Sequence, residues 1–463
     1  MHAILCAIVF ISASLGHCGG ADQSASNLSA LRGLAPFSVL AASDPGRAAL
    51  GSNLSITGAI QDGTQAQPTL LPFAEQQQLA LRDAFITDGN AYQLADGLGT
   101  TLGGIYLSLT SYQSTDDGKT FHFTSISPAV AQLIAYANAT ARSDSSSAKY
   151  FFGNATIDKA TPVSAAAMAI LAKINGVTDV FGRAYGHPAG SEGADAYGNS
   201  RPFQTEPHIV SIEGKDFFGV PSSNTAYLRG PVQNLTNSPS FPSGHATYGY
   251  TESLLLALIV PQRYLEMITR AAEYGNDRII LGAHYAMDVI GARALAAYDI
   301  AQLLANRPGY VGETRGGTRI DDFPKALAVA RADMTKTLER VCGDKIDICA
   351  RLDNGRFADP TKNRAFYDTT QTYGLPAVYP QKAEETEDVG RLAPEAGYLL
   401  TSAFPNLTLA EADAILTETE GPGGGYLDDG SPFGVYSRLD LYRAAEKALA
   451  LSTKAHNHNA DSN

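Results

Sequence analysis

The sequence contains no tryptophan, only four cysteines, and fewer basic than acidic residues. Its 34 lysines and arginines stand against 47 aspartates and glutamates, which gives a net charge of −13. Because a surface of that sign repels phosphate backbones, this balance argues against nucleic-acid binding as the main function. The tyrosine-rich composition, with 22 tyrosines, does not discriminate between functions.

Long hydrophobic runs are also missing beyond the first residues. The apolar run at 254–260 has the size of a core segment and is too short to cross a bilayer. Few runs alternate apolar and polar residues with a period of two, so we predict an all-α fold. The length of 463 residues allows two or three domains, or one large core with additions.

The chain begins with a short apolar segment that resembles a leader. Residues 3–15 are too few to span a bilayer, and small residues follow through Ala21, as at a signal-peptide cleavage site. We therefore expect residues 1–20 to be a signal peptide and the protein to be periplasmic or secreted. An uncleaved anchor and a cytosolic chain are the alternatives.

Two of the cysteines, Cys6 and Cys18, lie in this leader, which leaves Cys342 and Cys349. In an exported protein, two cysteines so close in sequence most simply form one disulfide. Two unpaired thiols are the alternative.

The composition changes along the chain and divides it into segments. We predict an extended N-terminal arm at 21–70, a helical core at 71–310, an additional C-terminal helical region at 311–452 and a disordered tail at 453–463. Segments with helical periodicity or helix-capping signals are 73–109, 128–142, 161–174, 246–260 and 287–304. A long irregular region at 182–240 lies between helical segments, and such loops are usually functional or disordered.

The C-terminal region gives weaker signals. An amphipathic pattern at 325–341 predicts a helix, and residues 350–390 are rich in loop formers. Thr408 and Glu411 form a predicted capping box, and Ser437 is the predicted cap of a last helix that ends near residue 451.

Two short motifs carry the chemistry. In the first, His284 and Asp288 are four residues apart, so on a helix the carboxylate would hold one ring nitrogen and leave the other for substrate. Arg278 precedes them and supplies positive charge. A surface His–Asp pair at the start of a helix is the alternative interpretation.

The second motif is Pro242-Ser243-Gly244-His245, directly before the buried helix predicted at 246–260. Glycine lets the backbone approach an anion, and amides at a helix N-terminus point toward it. His245 would then protonate a leaving oxygen. An N-cap serine beside an incidental histidine is the alternative.

Together with Arg201-Pro202, these motifs resemble the three-part signature of the type 2 phosphatidic acid phosphatase and vanadium haloperoxidase superfamily. The surrounding residues are most similar to bacterial class A acid phosphatases, and the resemblance covers about residues 120–305. It implies a multi-helix bundle in which Arg201, Ser243, Gly244 and Arg278 bind phosphate. It also implies that His284 attacks phosphorus, that His245 is the general acid, and that Asp288 orients His284, without a metal.

The sequence departs from this family pattern at two positions. The family has a lysine seven residues before the arginine of the first motif, whereas this chain has Ala194 there. Arg183, Lys215 or Arg229 would have to replace that lysine. Asp277 stands where the family usually has serine, and its carboxylate either repels phosphate or points away.

These observations predict an exported, metal-independent acid phosphatase that acts on small phosphomonoesters through a phosphohistidine and needs no cofactor. One alternative is a haloperoxidase that holds vanadate in the same pocket. The other is a catalytically weak phosphate-binding member of the superfamily. The predicted partner is a small phosphorylated substrate, with no nucleic acid and no stable membrane span.

Overall fold

The computed structural model of the chain describes residues 34, 39–40, 42–65, 69–87, 90–114, 121–152, 177–178, 184–185, 201–205, 209–224 and 240–460. Helices dominate these residues, and their strands pair only as two-stranded antiparallel hairpins. The all-α prediction is therefore confirmed. Within the described ranges, no helix combines the length and the apolar character that a membrane crossing requires.

The first elements are helices interrupted by one hairpin. In chain order they are α1 (Asp44–Asp62), α2 (Phe73–Asp83), a 3₁₀ segment (Ala91–Leu98), α3 (Gly99–Ser108), β1 (Ser111–Ser114), β2 (Phe121–Thr124) and α4 (Pro128–Phe152). The helices predicted at 73–109 and 128–142 are confirmed, and α4 continues to Phe152. The helix predicted at 161–174 lies outside the described residues.

Short elements make up the described parts of the region from 177 to 224. They are β3 (Val177–Thr178) paired with β4 (Ala184–Tyr185), α5 (Pro202–Thr205), and β5 (Glu213–Lys215) paired with β6 (Pro221–Ser223). Their shortness agrees with the predicted irregular region.

Three helices form the centre of the molecule: α6 (Gly244–Ile259), α7 (Tyr264–Ile280) and α8 (Ala286–Leu304). All residues of α6 except Tyr248 are buried, as its continuous apolar sequence predicts. Helices α7 and α8 pack against α6 from either side of a short turn, and that turn carries His284.

The C-terminal part of the chain packs onto the same centre. Its elements are β7 (Thr314–Arg315), β8 (Thr318–Arg319), α9 (Phe323–Cys342), α10 (Ile346–Ala350), α11 (Pro360–Thr372), a 3₁₀ turn (Pro380–Lys382), α12 (Val389–Leu392), α13 (Tyr398–Thr401), α14 (Leu409–Glu418), α15 (Pro432–Arg438) and α16 (Leu441–Ala460). A contiguous cluster of buried apolar side chains runs from Leu34 to Ala448, so these helices share the central core. The domain boundary at residue 310 stays a prediction.

Helix α1 corrects the expectation of an extended arm at 21–70. Ser43 accepts a hydrogen bond from the Gly46 amide at 3.0 Å, and Gly63 ends the helix with a φ of 77°. The buried residues recur at helical spacing but are partly polar: Gly46, Ala49, Leu50, Asn53, Thr57, Ile60 and Gln61. A hydrophobic pattern therefore does not reveal this helix.

The segment at 350–390 is largely irregular, as expected, but it contains α11, which Asp359 caps by accepting from the amides of Thr361 and Lys362. Two further expectations for the C-terminal region are wrong. Ser437 lies inside α15 and caps nothing; the side chain of Asp440 accepts from the Arg443 amide at the start of α16. Helix α16 also continues to residue 460, into the tail predicted to be disordered.

Two C-terminal predictions are confirmed. Thr408 and Glu411 form a reciprocal capping box, with hydrogen bonds of 3.2 and 2.8 Å between each side chain and the other residue's amide. Cys342 and Cys349 form a disulfide that links the end of α9 to α10.

Candidate active site

His284 and Asp288 meet at the start of α8. His284 lies in the turn before the helix and Asp288 in the first helical turn, so they pair across the helix N-terminus and not along one helix face. His284 Nδ1 is 3.3 Å from Asp288 Oδ2, which also accepts a hydrogen bond of 2.9 Å from the Tyr285 amide. Both side chains are buried, which excludes the surface-pair interpretation.

Arg201 contacts the opposite edge of the same imidazole. Its Nη1 donates to the Ala283 carbonyl at 2.9 Å and lies 2.9 Å from His284 Nε2. Because a guanidinium can only donate, Nε2 is the acceptor and the ring proton sits on Nδ1, toward Asp288. The network thus leaves the Nε2 lone pair on the side of the arginine, as a nucleophilic histidine requires.

The position of Arg201 follows from local backbone contacts. The Phe203 amide at the start of α5 donates to the Gly282 carbonyl at 3.2 Å. Gly282 has a φ of 71° in the turn between α7 and α8, and a Cβ there would lie 3.1 Å from the Ile209 side chain. Glycine is needed at this turn for its left-handed conformation, and it lets the arginine segment lie against it.

Arg278, near the end of α7, is fully buried. Its Nε, Nη1 and Nη2 have no hydrogen-bond partner among the residues that the structure describes. Burial lowers the pKa of Arg278, although Tyr274, Asp277 and Asp83 oppose the shift. A buried guanidinium without acceptors is costly, and an anion would supply the missing partners.

The two arginines act on one another. Burial and then the charge of Arg278 lower the pKa of Arg201 to about 9, while Asp288 opposes this shift. Arg201 therefore stays charged at neutral and acid pH. Two cations that repel each other in a buried region form a site for an anion with more than one negative charge.

The Ser243–His245 motif forms the N-terminus of α6. Ser243 Oγ accepts from the Ala246 amide at 3.1 Å, so the serine is an N-cap and its hydroxyl proton is left to donate elsewhere. Gly244 follows as the first helical residue, and a Cβ there would have only ordinary contacts, 3.6 Å from Ser145 Oγ. His245 lies in the same first turn and is 9% exposed.

The backbone joins this motif to the His284–Asp288 pair. The Ser243 amide donates to the Asp288 carbonyl at 3.0 Å, which brings the N-termini of α6 and α8 together. Both helix dipoles thus direct their positive ends into one region, which favours an anion.

Asp277 points away from this region. Its Oδ1 accepts a hydrogen bond of 2.7 Å from Gln76 Nε2 on α2. Burial, followed by the charges of Glu273 and Asp83, raises the pKa of Asp277 well above its usual value, against the effects of Arg270 and Gln76. This shift favours the protonated form, and the hydrogen bond to Gln76 directs the carboxyl toward α2 and away from an incoming phosphate.

The Asp277 carboxyl borders a buried ion-pair network. Arg270 contacts Asp83 and lies 2.8 Å from Asp96. Arg356, from the loop before α11, lies 2.8 Å from Glu273 and 2.7 Å from Asp96. The C-terminal region thus contributes an arginine that neutralises carboxylates behind the candidate site.

Of the residues that bear on the missing lysine, Ala194, Arg183 and Arg229 lie outside the described residues. Lys215 is exposed on β5, where its backbone pairs with Pro221. It is thus not a buried substitute for the lysine of the family pattern.

Some residues at the site have no signal in the sequence pattern. The buried hydroxyl of Ser145, on α4, has no partner among the described residues and lies near Gly244. Asn53 and Thr57 on α1 bond the amides of Met287 and Ala286 at the start of α8. The only signal for Asn53 and Thr57 in the sequence is their helical spacing, and the sequence does not predict the helix that carries them.

The fold and this geometry define an all-α protein with a buried pair of arginines around a histidine–aspartate pair. Residues 193–306 match the family model described as the PAP2 superfamily. This segment is therefore similar to the PAP2 superfamily, in agreement with the resemblance of its motifs.

Several named relatives match a part of the chain. A non-specific acid phosphatase of Providencia stuartii is 28% identical over 142 residues, which cover 28% of this chain and 56% of that relative. A non-specific acid phosphatase of Salmonella typhimurium is 39% identical over 100 residues, and an acid phosphatase of Zymomonas mobilis is 35% identical over 104 residues. Each of these two matches covers 22% of this chain and 34% of the relative.

Proposed function

We propose that the protein is an exported, metal-independent acid phosphatase that hydrolyses small phosphomonoesters through a phosphohistidine. The observation that carries this proposal is the buried guanidinium of Arg278, whose three nitrogens lack acceptors among the described residues. The similarity to proteins named acid phosphatases supports phosphate esters as the anion. The predicted leader at 1–20 supports export.

In this mechanism the substrate's phosphoryl oxygens bind Arg201, Arg278, the Ser243 hydroxyl and the Gly244 amide. These groups neutralise the charge that builds up on the equatorial oxygens in the transition state. The phosphoryl oxygens also take over the Arg201 N–H that donates to His284 Nε2 in the free protein. Substrate binding thereby frees the nucleophile's lone pair.

His284 Nε2 then forms a bond to phosphorus while the bond from phosphorus to the ester oxygen breaks. His245 donates its proton to the departing oxygen, which leaves as an alcohol. Asp288 holds the proton on Nδ1 and stabilises the positive charge that develops on the phosphorylated ring. In the second half, water attacks phosphorus, His245 accepts its proton, and orthophosphate and free His284 are released.

The test is hydrolysis of p-nitrophenyl phosphate by purified protein, with and without a chelator, beside His284→Ala. We expect turnover that survives chelation and falls by at least about 10³-fold in His284→Ala, because the nucleophile is lost. A matched histidine control is His458→Ala, in the last helix. Unchanged turnover in His284→Ala would contradict the proposal.

A second assay separates the alternatives. The same protein is incubated with vanadate and then assayed for halide oxidation by peroxide. Halide oxidation without phosphatase turnover would support the haloperoxidase, since the same arginines fit vanadate. Binding of orthophosphate without activity in either assay would support a phosphate-binding protein.

A further inference from the structure

The first turn of α8, which carries Asp288, is held by residues from outside the segment matched as the PAP2 superfamily domain, 193–306. These residues are Asn53 and Thr57 on α1 and Tyr426 between α14 and α15. We infer that they form a brace that positions Asp288, and through it His284, for attack on phosphorus. The inference rests on the proposed function, and the three residues are called the α8 brace below.

Asn53 and Thr57 supply acceptors that the helix itself lacks. The first amides of an α-helix have no intrahelical partner. The Ala286 amide donates to Thr57 Oγ1 at 3.0 Å and the Met287 amide to Asn53 Oδ1 at 2.9 Å. The two acceptors are four residues apart on α1 and both are buried, so they present a fixed pair of caps to α8.

The face of α1 that carries Asn53 and Thr57 also contacts the segment that packs against the turn containing His284. Gln61 exchanges two hydrogen bonds with the backbone of Val210, at 2.9 and 3.0 Å. The neighbouring Ile209 packs where a Cβ on Gly282 would lie, and Asn224 donates to the Leu281 carbonyl at 3.3 Å. Helix α1 therefore contacts the exit of the turn from α7 to α8 directly, and it contacts the entry through the segment around Val210.

Tyr426 binds the first turn of α8 through a backbone carbonyl, whereas Asn53 and Thr57 bind its amides. Its hydroxyl donates to the Met287 carbonyl at 2.6 Å, so Met287 is bonded through its amide by Asn53 and through its carbonyl by Tyr426. The Tyr426 ring also meets Phe241 edge to face, with centroids 6.3 Å apart, just before the Ser243 motif. Burial, followed by the Asp288 charge, raises the pKa of Tyr426, so the phenol stays protonated and donates.

The brace acts through the carboxylate of Asp288. Because one oxygen of Asp288 contacts both His284 Nδ1 and the Tyr285 amide, a shift of the first turn lengthens the bond to Nδ1 and lets the imidazole rotate. Arg278 is on α7 and Ser243 starts α6, so the phosphate-binding groups lie on other elements. Loss of the brace should thus slow the chemical step more than it weakens phosphate binding.

The experiment compares substitutions that remove one hydrogen bond and little volume. Thr57→Val and Tyr426→Phe each remove a brace hydroxyl. We expect kcat for p-nitrophenyl phosphate to fall about five- to tenfold, because the nucleophile is misplaced, while KM and the Kd for orthophosphate change less than twofold. Thr57→Ser, which keeps the hydroxyl, should restore wild-type kinetics.

Tyr264→Phe is the matched control for the tyrosine. Tyr264 is equally buried and its hydroxyl also donates to a carbonyl of the C-terminal region, that of Leu399 at 3.3 Å. We expect this variant to keep wild-type kcat. An equal loss of kcat in Tyr264→Phe, or no rescue by Thr57→Ser, would assign the effect to packing and overturn the brace.

A second readout does not depend on turnover. The Nδ1–H proton of His284 gives a downfield NMR signal in protein labelled with ¹⁵N-histidine, assigned by its loss in His284→Ala. The signal should shift or broaden in Thr57→Val and Tyr426→Phe and remain unchanged in Thr57→Ser and Tyr264→Phe. Wild-type protein without turnover would contradict the proposed function, whereas an unchanged signal in the brace variants would overturn the brace itself.

Discussion

Arg278→Met should make the free protein more stable while it abolishes phosphate binding. The side chain is fully buried, and its three nitrogens have no acceptor among the described residues. Methionine fills a similar volume without charge and without polar nitrogens. The substitution therefore removes a desolvation cost that no hydrogen bond from the described part of the chain offsets.

The size of the effect follows from the cost of a buried ion. The effective penalty is several kcal/mol, and in Arg278 the charge of Asp83 opposes part of it. We expect the free energy of unfolding to rise by about 1–4 kcal/mol in the variant. In the wild-type protein, orthophosphate at 100 times its Kd should add about 2.7 kcal/mol, and in Arg278→Met it should add nothing.

The assay is thermal and urea unfolding of both proteins, with and without orthophosphate. Arg293→Met is a matched control, because Arg293 is also buried but donates to the carbonyls of Thr370, Gln371 and Ser437 at 2.9–3.1 Å. It should destabilise the protein, since those carbonyls lose their donor. The reasoning is refuted if Arg278→Met is less stable than wild type without phosphate, or if phosphate still stabilises it.

Three further outcomes follow from the described contacts. Asp277→Asn should change kcat less than about twofold, because burial already favours the neutral form of this carboxyl. Asp288→Asn should lower kcat about 10²- to 10⁴-fold, because the wrong tautomer of His284 is then favoured. Equal losses of kcat in the two variants would contradict this. Burial raises the pKa of Glu420 to about 7, so the folded protein holds a proton there that the unfolded chain releases. Its contribution to stability is complete at acid pH and is lost as the pH rises through the window from about 4.5 to about 7, so the urea unfolding of Glu420→Gln should be less pH-dependent. Replacing Cys342 and Cys349 with serine should cost about 2.5 kcal/mol of stability from loop closure and leave kcat unchanged; a loss of kcat without loss of stability would contradict this.

Much of the central fold could be predicted because its signals are local. The continuous apolar sequence of α6 and the regular spacing in α8 mark buried helices, and Gly282 marks the turn between α7 and α8. Helix α1 shows the opposite case. Its buried face includes Asn53 and Thr57, which are satisfied by bonds to residues more than 200 positions away, and no local pattern encodes such partners.

The candidate site divides in the same way. Chemistry and spacing in the sequence alone singled out His284 and Asp288, and the resemblance to a known family added Arg201 as a predicted phosphate-binding residue. Only the tertiary structure decided that Arg201 lies against the second nitrogen of His284 and that Asp277 turns toward Gln76 on α2, where burial raises its pKa. Those outcomes depend on burial and on contacts between distant segments, and both arise only when the helices pack.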